Sequence, residues 1–218
     1  MNRPVRTRSG PTLTDTAYVH IERMIIHGEI EPLTFVSEAD FMEWTGLGRT
    51  PVREAVHRLA RERMVEIHPS RGILIPEISV ESELRILEMR RVLDPWATRL
   101  ACERATPGER DEMRDLAETL GTENFTLSDY SETVRQTHGL ILRAAHNEYL
   151  HDAMVQLQNL SRRFWTSHVT DQSEVTTGAT LHRAMLTAIV REDAKEGERA
   201  ATNLNDYLVD FARRVLAV

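Results

Sequence analysis

Apolar positions recur at helical spacing through most of this chain, and breakers cut the pattern into pieces. Tyr18, Ile21, Ile25 and Ile26 share one helix face; Thr14 or Asp15 can cap that helix and Gly28 stops it. Ser37 is placed to cap a second helix, with Phe41, Met42 and Trp44 as its apolar contacts and Gly46 at its end. A third helix carries Val52, Ala55, Val56 and Leu59 as a stripe. Pro51 fits only the first turn of that helix, so Gly48 or Thr50 is its N-cap. Two β-prone pieces follow, 65–67 and 73–75, around the breaker-rich His68-Pro69-Ser70-Arg71-Gly72.

After Pro76 the pattern changes to long helices. Ser79 caps the first, which runs through Leu84, Leu87, Met89, Val92, Leu93, Trp96 and Leu100 to about Ala105. Thr106-Pro107-Gly108 turns into the next, which holds Met113, Leu116 and Leu120 and stops at Gly121. Ser128 or Asp129 opens a helix with Val134, His138, Ile141 and Leu142 that ends near Asn147. Another spans 148–168, Asp171-Gln172-Ser173 forms a loop, a fifth helix carries Leu181, Met185, Ile189 and Val190, and the last spans 194–216. The spacing therefore predicts a mainly α protein of two parts. Three helices and a β-hairpin make a winged helix-turn-helix, whose third helix enters the major groove of DNA and whose hairpin tip reaches a neighbouring groove or phosphate. The rest makes an all-α antiparallel bundle of six or seven helices.

Charge sharpens this division. The net charge is −7, which argues against indiscriminate nucleic-acid binding, but the basic residues lie at the front. Arg3, Arg6 and Arg8 make residues 1–12 a flexible basic arm; Arg49, Arg53, Arg58, Arg61, Arg63 and Arg71 are opposed only by Glu54, Glu62 and Glu66. The expected domains are thus the arm, a winged helix-turn-helix over 13–76, and an acidic helical domain over 77–218. Arg49 and Arg53 stand four apart at the start of the third helix, where free N–H groups already favour anions, so they suit phosphates or guanine edges. The competing reading is a surface helix with ordinary arginines. No apolar run reaches membrane-spanning length and no signal-peptide core is present. The single Cys102 excludes a disulfide framework and fits a reducing cytoplasm; it reads as a small core residue.

Residues 14–76 resemble the GntR family of bacterial transcription regulators. The family's signature is roughly L-S-E-x-x-L-A, then L-G-V-S-R-T-P-V-R-E-A-L, then P-x-R-G. This chain has Val36-Ser37-Glu38, the run GLGRTPVREAV over 46–56, and Pro69-Ser70-Arg71-Gly72. It departs at Gly48, where the family has serine, and at Leu33 and Arg63, where the family has glycine. The resemblance implies DNA contact by Arg49 and Arg53, a backbone contact by Thr50, a further DNA-binding residue in Ser37 at the front of the second helix, and a DNA-binding wing tip at Arg71 and Gly72. The helical half resembles the FCD-type effector-binding domain of the FadR branch. That likeness rests on the run EMRRVLD over 88–94, on His138 with Ala144-Ala145-His146-Asn147, and on Leu181-His182 with Ala188-Ile189. Together these imply a cytoplasmic, homodimeric, ligand-responsive regulator, most often a repressor. Such a protein grips a pseudo-palindromic double-stranded operator and answers to a small metabolite.

Nine histidines raise the question of a metal. His138 and His182 lie on separate helices beside inward-facing apolar residues, and two imidazoles with further ligands can hold a divalent ion such as Zn or Ni. In the resembling family the site commonly adds an Asp four residues before the first histidine and a third histidine on the last helix. Here those places hold Val134 and a residue at or near Leu204, between Asn203 and Asn205. Two histidines alone make a poor metal site, so a cavity for a small organic effector is the favoured reading, with Arg90, His138, His182 and Asn203 around it. Arg90 suits a carboxylate, because guanidinium and carboxylate pair through two parallel hydrogen bonds; a salt bridge to Glu88 or Asp94 is the plainer alternative. The other seven histidines read as surface residues. Two further functions compete. A histidine-dependent metalloenzyme lacks a full ligand set and a nucleophile with its base. A winged helix used only for protein docking would favour acidic residues in place of Arg49 and Arg53.

Overall fold

The computed structural model describes residues 10–122 and 124–217, so Arg3, Arg6 and Arg8 of the expected arm lie outside the described residues. The chain divides into two compact units, residues 1–77 and 78–218.

In the first unit, α1 (Leu13–Ile26), α2 (Glu38–Thr45) and α3 (Arg49–Arg61) pack on one another beside a small antiparallel sheet. Thr12, and not Thr14 or Asp15, caps α1. Its hydroxyl accepts from the Asp15 N–H while the Asp15 carboxylate reaches back to Thr12, a reciprocal pair that satisfies two free donors. Ser37 and Asp40 repeat the arrangement on α2. Ile21, Ile25, Phe41, Val52, Ala55, Val56 and Leu59 form the core. Trp44 stands at its edge, 42% exposed, with its ring on Phe41.

The sheet has the order β1-β3-β2, with β1 (Phe35–Val36), β2 (Glu66–His68) and β3 (Gly72–Leu74). The two hairpin strands start one residue off the expected positions, and β1 was not expected at all. The tip is a turn in which the Arg71 N–H donates to the His68 carbonyl at 3.2 Å, with Pro69 at its second position and Ser70 at φ 66°. Gly72 follows at φ 103°, and a Cβ there would lie 2.8 Å from the Val36 carbonyl oxygen. That glycine lets β1 close against the wing.

The two departures from the family's glycines both fall in the left-handed region, Leu33 at φ 63° and Arg63 at φ 58°. Arg63 follows the α3 cap residue Glu62, its N–H donating to Ala60 and that of Met64 to Leu59. Gly28 closes α1 with the same bond pattern.

The second unit is a six-helix bundle: α4 (Val80–Arg104), α5 (Pro107–Thr122), α6 (Leu127–Ala144), α7 (Glu148–His168), α8 (Gln172–Val190) and α9 (Ala194–Leu216). Ser79 caps α4, but Thr126 and not Ser128 or Asp129 caps α6, and Asp171 caps α8 directly, so the expected loop at 171–173 is already helix from Gln172. The central helix α4 touches α6, α7, α8 and α9. Leu87, Leu100, Ala101, Met113, Ile141, Phe164, Leu186, Ile189 and Leu204 lie in one continuous core. Helix α7 is unusual in burying polar groups, among them Gln158, Ser161, Arg162 and Thr166. Buried polar groups persist when they are hydrogen-bonded, to each other or to a ligand.

Candidate functional site

The first unit presents a basic face at the start of α3. Gly48 is the N-cap and gives no side-chain bond, and no acid stands in the first turn. The helix therefore opens with free N–H groups and a positive dipole end, flanked by exposed Arg49, Thr50 and Arg53. The Arg49 guanidinium lies 3.8 Å from Glu38, which places the fronts of α2 and α3 side by side. At that separation and exposure the pair is weak. Ser37 is committed to Asp40, its hydroxyl donating to the carboxylate at 2.8 Å, so its first task is to hold α2. Arg71 stands exposed at the wing tip, while Gly72 shapes the wing beneath it.

The second unit holds a cavity of about 30 Å³ between α4, α6, α7, α8 and α9. Of the four residues expected around an effector, three line it: Arg90 from α4, His138 from α6 and His182 from α8. Asn203 does not. It is exposed on α9, and its neighbour Leu204 faces the cavity instead. Asn205 is buried but bonds the Leu87 carbonyl at 3.1 Å, holding α9 to α4. Tyr130, Ser131, Ser161, Arg162, Trp165 and Tyr207 also line the cavity, and sequence reasoning named none of them. A signal existed for one: Tyr130, Val134 and His138 are spaced by four on α6.

Among the described residues, four polar atoms of the cavity lining are buried without a hydrogen-bond partner: Nη2 of Arg90, Oγ of Ser131, and Nε2 of both His138 and His182. The imidazole centroids are 5.2 Å apart. Arg90 is 2% exposed and gives its Nε to Asp94 at 2.8 Å, while the other Asp94 oxygen accepts from Gln158 at 3.2 Å. The plainer alternative for Arg90, an ion pair with Asp94, is thus realised, and a guanidinium nitrogen remains free beside the cavity. Burial pushes the His182 imidazole down to about 4, against the raising effect of its bond to the Gly178 carbonyl, and the Arg90 charge lowers it further. Burial likewise holds His138 well below the ordinary histidine range, helped by His182, Arg90 and Arg162. Burial thus favours the neutral form of both rings.

A metal centre does not fit these residues. Val134 and Leu204 line the cavity at the two places where the resembling family supplies further ligands, and neither can coordinate. No cluster of three or more His, Cys, Asp or Glu side chains able to hold an ion occurs among the described residues. Cys102 is buried away from the lining, and burial raises its thiol to about 11, as for an inert core residue.

A winged head with arginines at the start of its third helix, joined in sequence to a helical unit whose cavity is lined by buried polar side chains, is the build of a DNA-binding transcription regulator. The chain belongs to the gntR family of bacterial regulatory proteins, in the group that carries an FCD domain: residues 13–75 match the first model and 85–206 the second. It is similar to the HTH-type transcriptional repressor RspR of Escherichia coli K12, 23% identical over 97% of this chain and 94% of that one. The Nta operon transcriptional regulator of Aminobacter aminovorans is 29% identical over 43% of this chain and 44% of its own. Among solved structures, Escherichia coli McbR/YncC shares the fold with a TM-score of 0.79 at 19% identity, over 94% of this chain and 99% of that one. The family and these relatives are transcriptional regulators and not enzymes, which removes the metalloenzyme reading. No helix among the described residues is long and apolar enough to cross a membrane.

Proposed function

We propose that the protein acts in the cytoplasm as a homodimeric repressor that binds a pseudo-palindromic operator and releases or tightens its hold when a small carboxylate enters the helical unit. The observation that carries the effector half is the convergence of three buried, unpartnered polar atoms, from Arg90, His138 and His182, on one cavity. Unpaired polar groups of this kind cost about 1–3 kcal/mol each, and a ligand that pairs them recovers it. The DNA half is supported by Arg49, Thr50 and Arg53 at the open start of α3, with Arg71 at the wing and Ser37 and Gly72 holding the flanking geometry. Dimerisation would set two reading helices about one DNA turn apart. An effector that favours one arrangement of the heads couples to operator affinity by about 1–3 kcal/mol. RspR, whose likeness runs nearly end to end, is named a repressor, which supports that sign of regulation.

The test uses an operator selected from random-sequence DNA with the wild-type protein. Arg53→Ala weakens binding to that operator by about 1–3 kcal/mol and relaxes the preference at one base position, as expected of an arginine that reads a guanine. Equal affinity of variant and wild type across all sequences removes the DNA-reading assignment.

A further inference from the structure

We propose that the cavity takes its ligand without a metal ion: the Arg90 guanidinium holds the ligand's carboxylate, and His182 Nε2 accepts a hydrogen bond from a hydroxyl beside that carboxylate. The proposal rests on the effector reading given above and names the chemistry of that site.

The tautomer of His182 is the first step. Its Nδ1 lies 2.8 Å from the Gly178 carbonyl oxygen and 3.1 Å from the Tyr130 hydroxyl. A carbonyl only accepts, so Nδ1 carries the hydrogen and Nε2 carries a lone pair. Tyr130 then accepts the second branch of the same N–H and keeps its own hydrogen. This arrangement is built into the fold at Gly178, where a Cβ would stand 2.1 Å from the Tyr130 hydroxyl oxygen. The result is a buried lone pair, on a ring 5% exposed, with nothing to receive.

Such a lone pair pairs with a metal or with a hydrogen. A protein-held zinc takes about four ligands, and here two imidazoles face two hydrocarbon side chains. The carboxylate nearest in the network, Asp94, has one oxygen on Arg90 and the other on Gln158. Glu83 is bonded to Ser161 and is not part of the lining. The guanidinium of Arg90, fixed and positive, already stands in the same cavity and repels a second cation. It attracts an anion instead, and its free Nη2 can donate to one.

The ligand must therefore bring a negative acceptor for Arg90 and a hydrogen for His182. A small hydroxycarboxylate has both on neighbouring carbons. Val134, Trp165, Leu204 and Leu208 supply the apolar part of the remaining wall, and Ser131, Ser161, Arg162 and Tyr207 its polar part. A plain carboxylate leaves the imidazole lone pair buried and unsatisfied, so the site discriminates against it.

The test uses full-length protein, purified without a metal-affinity tag and dialysed against EDTA. In one arm, zinc and nickel chlorides are titrated calorimetrically. Wild type binds neither stoichiometrically, and Val134→Asp with Leu204→His, which restores two ligands, binds zinc at least a hundredfold more tightly. One ion per chain bound by wild type, and lost in His138→Ala with His182→Ala, overturns the metal-free mode. In the other arm, lactate and propionate, malate and succinate, and 2-hydroxybutyrate and butyrate are compared in EDTA by thermal shift and calorimetry, with gluconate added. At least one hydroxy acid binds tenfold or more tightly than its deoxy partner. His182→Phe abolishes that preference, and Arg90→Met abolishes binding of both. Equal binding of the partners, or binding that appears only with added metal, overturns the proposal. If no acid binds and none alters operator affinity, while zinc also fails to bind, the effector reading falls with it. Zinc binding by wild type would overturn the metal-free mode alone.

Discussion

Arg63 offers a direct measure of what a single backbone conformation costs this protein. It sits at φ 58° just past α3, where its own N–H and that of Met64 close the helix onto Ala60 and Leu59. An L-residue with a Cβ pays about 1–2 kcal/mol in this region, and glycine does not. Arg63→Gly removes that penalty but makes the unfolded chain more flexible, which returns about 0.5–1 kcal/mol. It also removes a cation from the C-terminal end of the helix, worth a few tenths of a kcal/mol at an exposed site. The net is a stabilisation of about 0.5 kcal/mol. Gly28 provides the mirror experiment: it holds φ 69° past α1 with the same two bonds, so Gly28→Ala destabilises by about 0.5–1 kcal/mol. Native-state hydrogen exchange of buried amides in α1 and α3 reads both changes within the first unit and avoids the signal of the helical unit. Operator affinity should not move with Arg63→Gly, because α3 places that residue about 20 Å from Arg49 along its axis. Faster exchange in Arg63→Gly, together with unchanged exchange in Gly28→Ala, would refute the conformational argument.

Two further outcomes follow from the helical unit. Burial holds the Glu83 carboxyl above its ordinary value of 4.5, against the lowering effects of Ser161 and Arg90, so the folded state binds its proton more tightly than the unfolded chain does. Its stabilising contribution is complete below pH about 4 and fades as pH rises through the folded value. Glu83→Gln, which mimics the protonated form and still accepts from Ser161, therefore gains on wild type progressively from pH 4 to pH 8 in urea unfolding, and a constant difference would disprove it. Gly178→Ala drives a methyl group into the Tyr130 hydroxyl and costs about 1–3 kcal/mol, despite alanine's better helix propensity. Tyr130→Phe removes the atom it meets first, so the double variant loses less than the sum of the two singles, measured as a double-mutant cycle.

Local order in this chain is written in short stretches of sequence. Helix α7 and helix α9 begin and end where the apolar period and the breakers place them, and Ser37 and Ser79 cap the helices they precede. These features depend on contacts within about four residues, so the sequence carries them directly. The family resemblance comes from the same kind of local run and agrees with the models matched over both halves. The residues were also enough to show that Val134 stands where a ligand was expected, and the structure adds that it faces the cavity.

What only tertiary structure decides is which side chains meet. The two-residue strand β1 has no period to read, and it exists because Val36 pairs with Ile73 on a strand more than thirty positions away. Asn203 and Leu204 differ by one position, yet one residue turns the helix face by about 100°, so Leu204 enters the cavity and Asn203 meets solvent. Tyr130, Trp165 and Tyr207 are ordinary aromatics in sequence and become part of one cavity wall because three helices converge there. Local runs of residues were enough to read a winged head, a helical bundle and a family. The packing of α4, α6 and α8 decided that a guanidinium and two imidazoles share one buried space. Their unpaired atoms, separated by dozens of residues along the chain, come into reach of one another only when the core closes around them.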